Sequence, residues 1–207
     1  MNYFITGTDT GVGKTFFTAL LTRALRKAGF DTAALKPICC GPREDVHILR
    51  AAADEELTPD EINPVALELP AAPLVAARAE NREVDLAMLV PWFHALRTRH
   101  RSLLVEGAGG WLVPVSENKT VADMAALFGL PVLVVVANRL GCLNHTLLTV
   151  ESIRARSLTC AGLVLNTLTE ERDAATQTNK KILQECCDVP VLFAIHPGQQ
   201  SLELAVA

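Results

Sequence analysis

An α/β fold with a mostly parallel central sheet and helices on both faces is what this sequence predicts, and three observations predict it. Short apolar runs rich in β-branched residues alternate along the chain with stretches of helical periodicity. One run, Leu130 to Ala137, shows no alternation with polar residues, as a central strand covered on both faces requires. Polar or glycine-rich segments follow the runs, and an open parallel sheet collects its ligands at the carboxyl ends of its strands.

Taken in order, the aromatic and β-branched run Tyr3–Thr6 is the first expected strand, and a glycine-rich loop hands it to a helix over Lys14–Ala28. Thr32–Lys36 is the second strand, with Pro37 stiffening its exit, and Asp45–Ala53 has a helical pattern. The stretch from Thr58 to Pro73, rich in proline and short polar residues, reads as an irregular excursion on one side of the sheet. Helices are expected near Pro73–Glu80 and Asp85–Arg97, followed by the apolar strand Leu103–Glu106 and a helix over Val121–Phe128. Val132–Ala137 is the buried fourth strand, and Leu143–Arg156 the helix after it. Gly162–Asn166, Glu171–Cys186 and Val189–Ala194 complete the alternation as strand, helix and strand. Parallel strands joined this way imply right-handed crossovers.

The length of 207 residues suits one domain, expected to span 1–207, with a core that needs neither disulfides nor structural metal. A net charge of −4 without a basic run gives no footprint for nucleic acid or an anionic membrane. The longest apolar run is too short to cross a bilayer, and no basic segment with a signal-type apolar core stands at the start, so the expectation is a cytoplasmic protein. The six cysteines then read as reduced thiols. The pairs Cys39-Cys40 and Cys186-Cys187 lack the spacing and histidine partners of a zinc site.

The strongest chemical signal is Gly7-Thr8-Asp9-Thr10-Gly11-Val12-Gly13-Lys14-Thr15, between the first strand and a helix. Such a phosphate loop turns backbone N–H groups toward a nucleotide, sends Lys14 to the β- and γ-phosphates and offers the Thr15 hydroxyl to Mg²⁺. Thr8 stands where the common spacing has glycine. The fold class thus narrows to a P-loop NTPase-like domain, although that loop serves many reactions.

Four further places attract attention. Lys36, at a strand end beside the loop, can stabilise charge on a transferring phosphoryl group or can be a solvated strand-end lysine. Glu106 ends an apolar strand and opens Gly107-Ala108-Gly109-Gly110, which suits a carboxylate ligand of Mg²⁺. Asp45 suits the same metal equally with the cap of the following helix. Asn144, in Gly141-Cys142-Leu143-Asn144-His145, can receive a substrate carboxylate at a helix start or can be that helix's cap. Covalent catalysis by Cys142 and His145 is not expected, since neighbours in sequence do not present adjacent side chains.

The loop 7–15, Lys36-Pro37, Glu106-Gly107-Ala108-Gly109-Gly110 and Gly141-Cys142-Leu143-Asn144-His145, in this order, resemble the dethiobiotin synthetase family. The resemblance implies an ATP-dependent ligase that joins CO₂ to 7,8-diaminopelargonate and closes a ureido ring, releasing ADP and phosphate. It implies that Lys14 and Lys36 are catalytic, and that Thr15, Asp45 and Glu106 hold Mg²⁺. Thr10, Gly11, Val12, Gly13, Lys14 and Thr15 would bind ATP phosphates, with Asn166, Pro197 and Gly198 at the adenine. Thr10, Lys36, Cys40 and Gly109 would line the diamine site, and Gly141, Cys142, Leu143 and Asn144 would bind the substrate's carboxylate tail from the neighbouring subunit of a homodimer. Cys40 stands where the family often has serine, and the Gly41–Asp45 segment is short. The competing class is a partner-regulated switch or partitioning ATPase. Its loop usually carries a second lysine five residues before the main one, and that position here is Asp9.

Overall fold

In the computed structural model, which describes residues 1–170 and 172–204, the expected alternation of strands and helices is present. β1 (Asn2–Gly7) leads into α1 (Lys14–Lys27), β2 (Thr32–Leu35), β3 (Ile38–Cys40), α2 (Glu44–Ala52), the single turn α3 (Pro59–Ile62), β4 (Val65–Leu67) and α4 (Pro73–Ala79). A 3₁₀ turn over Leu86–Met88 opens α5 (Leu89–Arg99), and β5 (Ser102–Glu106), the hairpin β6 (Pro114–Ser116) and β7 (Lys119–Thr120), and α6 (Val121–Phe128) follow. The chain continues through β8 (Val132–Ala137), α7 (Cys142–Arg154), β9 (Cys160–Asn166), α8 (Ala174–Cys186) and β10 (Val191–Ile195). Glu171, with which the last expected helix begins, lies outside the described residues.

Six strands form the main sheet in the order β10-β9-β8-β1-β5-β2, and the neighbours pair in parallel. Strand alternation sorts the core into two layers. Phe4, Leu103, Val105, Val132, Val134 and Val136 meet Phe93, Met124, Phe128 and Ile153 from α5, α6 and α7 on one face. Ile5, Leu104, Leu133 and Val135 meet Phe17, Leu21 and Leu25 of α1 on the other. All six residues of β8 are buried, which accounts for its unbroken apolar run.

The stretch from Thr58 to Pro73 is more ordered than its composition predicts. Thr58 and Glu61 close a capping box around α3, with Pro59 at the first helical position, and β4 pairs in parallel with β3, a strand not expected from sequence. Three-residue strands carry too little periodicity to be recognised locally. Lys36, expected inside the second strand, lies one residue beyond it. Its backbone N–H leaves the main sheet to bond the Ile62 carbonyl at 3.0 Å.

Candidate active site

The phosphate loop follows from the placement of β1 at the middle of the sheet. Thr8 N–H donates to the Val135 carbonyl at 3.0 Å, so the strand ladder runs one residue into the loop and no glycine is needed there. A Cβ on Gly7 would stand 2.6 Å from the Val12 side chain. One on Gly13, whose φ is +87°, would stand 2.1 Å from the Asn166 amide nitrogen. Gly13 starts α1 without a side-chain cap, which leaves the first backbone N–H groups of that helix for an anion.

Beneath the loop four side chains converge from two strand ends and two helix starts. Glu106, fully buried, accepts from the Thr15 hydroxyl at 2.8 Å and from the Lys36 ammonium at 2.5 Å, both on Oε1. The same ammonium donates to Asp45 Oδ2 at 2.7 Å. Glu106 Oε2 is buried and has no hydrogen-bond partner, an unspent acceptor that a cation would satisfy. Thr15, Asp45 and Glu106 therefore offer a hydroxyl and two carboxylates around one point, a hard oxygen set that fits Mg²⁺ with further oxygens from phosphate and water.

The two lysines differ in setting. Burial, aided by the nearby Lys36 charge and only partly offset by Glu106 and Asp45, brings Lys14 down to about 8. Its ammonium rests 3.4 Å from the Asp9 carbonyl, ready to exchange a weak contact for a phosphate. Burial would lower Lys36 too, but Glu106 and Asp45 outweigh it and raise that lysine, keeping it charged. Burial pushes the Asp45 carboxyl up, and the Lys36 charge with the Thr15 hydrogen bond reverses the sign, so it sits below its ordinary value. Lys36 is 5 % exposed and is no solvated strand-end lysine. Asp45 does not cap α2, since Arg43 holds that position.

A cleft of about 740 Å³ opens over this group. Thr10, Gly11, Gly13, Lys14, Thr15, Lys36, Asp45, Glu106 and Gly109 line its polar part, while Ile38, Cys40, Ala108, Val113 and the Pro70–Pro73 stretch line the rest. Burial, with Cys39 adjacent, pushes the Cys40 thiol up to about 11, so it faces the cleft as a neutral group. A Cβ on Gly109, at φ +68°, would meet Val113 at 2.9 Å and the Thr10 hydroxyl at 3.3 Å, which shows how closely the two loops approach.

Other predicted residues lie elsewhere. Gly141, in a left-handed conformation at φ +90°, precedes the first residue of α7, and Asn144 is exposed within its first turn, so Asn144 is not the cap. Neither these two nor Cys142 and Leu143 line the cleft. Cys142 is buried and His145 exposed, which leaves no nucleophile paired with a base there. Asn166, 2 % exposed, donates from Nδ2 to the Val12 carbonyl at 2.9 Å and braces the loop from behind. Val12 is itself 1 % exposed, so only its backbone is placed to meet a nucleotide. Pro197 and Gly198 are exposed just past β10, at the same end of the sheet. The sequence reading missed the contact of Arg139 with Asp9, 3.4 Å across the loop mouth. Its only local signal is a basic residue following a buried strand.

A family model described as an AAA domain matches residues 1–203. The chain is 44 % identical over 205 residues to the ATP-dependent dethiobiotin synthetase BioD of Akkermansia muciniphila, covering 99 % of this chain and 96 % of that one. It is 48 % identical over 180 residues to the protein of the same name from Anaeromyxobacter dehalogenans, covering 85 % and 81 %. Among solved structures it is similar to the septum site-determining protein MinD complexed with Mg-ADP from Pyrococcus horikoshii, with a TM-score of 0.62 at 18 % identity over 95 % of this chain and 82 % of that one. That likeness shows the P-loop fold alone.

Proposed function

We infer the chemistry of this cleft from one premise: the chain belongs to the family of ATP-dependent dethiobiotin synthetases. It is a ligase that forms C–N bonds, using ATP to close the ureido ring of dethiobiotin from 7,8-diaminopelargonate and CO₂ in biotin biosynthesis. One amine adds to CO₂ and loses a proton to give a carbamate. A carbamate oxygen attacks the γ-phosphorus, the bond to the ADP oxygen breaks, and a carbamic-phosphoric anhydride forms. The second amine then attacks the carbonyl carbon, and phosphate leaves with the bonding pair.

The observation that carries the residue assignment is the meeting of half-buried Thr15 and Asp45 with buried Lys36 and Glu106 under the phosphate loop. The loop N–H groups and Lys14 bind the β- and γ-phosphates. Lys36 lines the cleft together with that loop, so its fixed charge would face both the carbamate and the phosphoryl group as negative charge moves between them. Thr15, Asp45 and Glu106 would hold Mg²⁺, which would supply Lewis-acid stabilisation of the phosphate oxygens. Thr10, Cys40 and Gly109 face the diamine, Asn166, Pro197 and Gly198 the adenine. Gly141–Asn144 lie outside the cleft of their own chain, which supports a homodimer in which the partner supplies the carboxylate-binding segment. A soluble cytoplasmic enzyme accords with the absence, among the described residues, of any helix long and apolar enough to cross a membrane.

The test is phosphate release with Mg-ATP, bicarbonate and a panel of diamines. Release should require both the 7,8-diamino acid and bicarbonate. Vigorous hydrolysis with neither, unchanged on adding both, would point to a switch ATPase.

A further inference from the structure

Lys36 lies past the end of β2, so no neighbour in the main sheet holds its backbone. Both of its backbone polar groups are taken up by one segment distant in sequence. Its N–H donates to the Ile62 carbonyl at 3.0 Å, and its carbonyl accepts from Asn63 Nδ2 at 3.0 Å. The same amide nitrogen also donates to the Val65 carbonyl at 2.9 Å and approaches the Pro37 carbonyl at 3.4 Å. Three carbonyls facing one side-chain nitrogen fix which way the amide lies, because its oxygen would be repelled there. The Asn63 side chain is therefore a clasp joining the turn Lys36-Pro37 to the start of β4.

Two features indicate that the clasp does more than fill space. Asn63 is 2 % exposed, and its Oδ1 is buried with no partner, an arrangement that costs stability and that an apolar residue would avoid. Its backbone carbonyl accepts from the Arg43 guanidinium at 3.3 Å. That guanidinium also takes the Pro59 carbonyl and the Asp60 carboxylate, each at 2.8 Å. Arg43 is the N-cap of α2, two residues before Asp45. One residue thus ties together the backbone that aims Lys36 and the helix start that presents Asp45, the two groups that meet at 2.7 Å in the cleft.

We propose that Asn63 is a positioning residue for the reaction: it holds the Lys36-Pro37 turn so that the Lys36 ammonium stands over the transferring phosphoryl group. This rests on the role given to Lys36 above. Asn63 does not line the cleft, so its loss should appear in the rate constant and leave ATP binding alone.

The experiment compares Asn63→Ala, the gentler Asn63→Ser, Lys36→Ala, the double variant Asn63→Ala with Lys36→Ala, and Leu183→Ala, a fully buried α8 residue away from the cleft. ATP affinity is read by calorimetry, melting temperature by calorimetric scan, and phosphate release with Mg-ATP, bicarbonate and the diamino acid well below the lowest melting temperature. Single turnover at high enzyme concentration reads the residual rates. Asn63→Ala should lose about 10-fold or more in kcat with ATP affinity within about twofold, because small misplacements of an aimed group are costly. Leu183→Ala should lose melting temperature without that loss of rate. In the Lys36→Ala background, Asn63→Ala should change the residual rate by less than about twofold, since the group it aims is gone. If Asn63→Ala does not fold, Asn63→Ser carries the same comparison. A rate loss no greater than that of Leu183→Ala, or equal losses with and without Lys36, would overturn the proposal while leaving the function standing. Full turnover in Lys36→Ala would overturn the proposal together with the role given to Lys36.

Discussion

The foot of the phosphate loop and the start of α7 are built on opposite plans. At the foot, Thr15, Lys36 and Glu106 come from distant parts of the chain, yet they close a buried network whose charges neutralise one another. At the start of α7, Gly141 and Asn144 lie three positions apart and are exposed, Leu140 beside them is 83 % exposed, and no side chain caps the helix. The first region is complete within one chain. The second presents free N–H groups and an apolar residue to whatever approaches. Completeness implies that changes at the foot damage chemistry in every setting, whereas changes at α7 damage only what a second body brings.

That contrast is sharpest at Lys36. Lys36→Ala should bind ATP nearly as before but lose on the order of 10³-fold in turnover, the size expected for a charge felt mainly in the transition state. It also leaves Glu106 buried without its cation, a change that typically costs about 3–5 kcal/mol, so the melting temperature should fall as well. Lys14→Ala, by comparison, should impair ATP binding and turnover together. Calorimetry beside steady-state phosphate release separates the two lysines, and surviving turnover in Lys36→Ala would remove the foot from the mechanism.

Glu106→Gln should follow, with a loss of roughly 10²-fold in turnover and a higher Mg²⁺ requirement, because a neutral amide replaces the carboxylate proposed as a metal ligand. A magnesium titration of the rate checks this. An unchanged midpoint would take Glu106 out of the metal set.

At α7 the effect should be smaller and of a different kind. Asn144→Ala should raise KM for the diamino acid by about 10-fold while ATP affinity stays put, in line with one hydrogen bond to a charged group. Weakened ATP binding in that variant would dissolve the distinction between the two regions. The mildest change tests the proposed homodimer: if it forms over the start of α7, Leu140→Asp should shift sedimentation from dimer toward monomer and leave ATP affinity within about twofold, since a charge on an apolar patch weakens association without reaching the loop.

Lys36 and Asn63 show how far the sequence could be read. Lys36 stood out because it follows an apolar strand next to a phosphate loop, but its position alone favoured a solvated lysine. What decided between them was burial beneath Glu106 and the hold of the segment 62–63, a relation across 27 positions that no local pattern signals. Asp45 is similar. A carboxylate near a helix start reads as a cap, and only the position of Arg43 and the approach of Lys36 give it another task. Asn63, followed by Pro64 in a polar stretch, looked like loop chemistry and turned out to be the clasp of that same lysine.

The sequence by itself determined whatever is written within a few adjacent residues. It determined the six main strands and most of the helices, because hydrophobic periodicity is local. It determined the phosphate loop, because glycine conformations and a helix start suffice to make one. Tertiary structure alone decided which side chains share a point in space. The Thr15 hydroxyl finds Glu106 across 91 positions because β1 and β5 lie side by side in the sheet, and Lys36 finds Glu106 because β5 also pairs with β2. Strand order is settled by which crossovers bury the most apolar surface together, a property of the whole chain, and the geometry of the site is inherited from it.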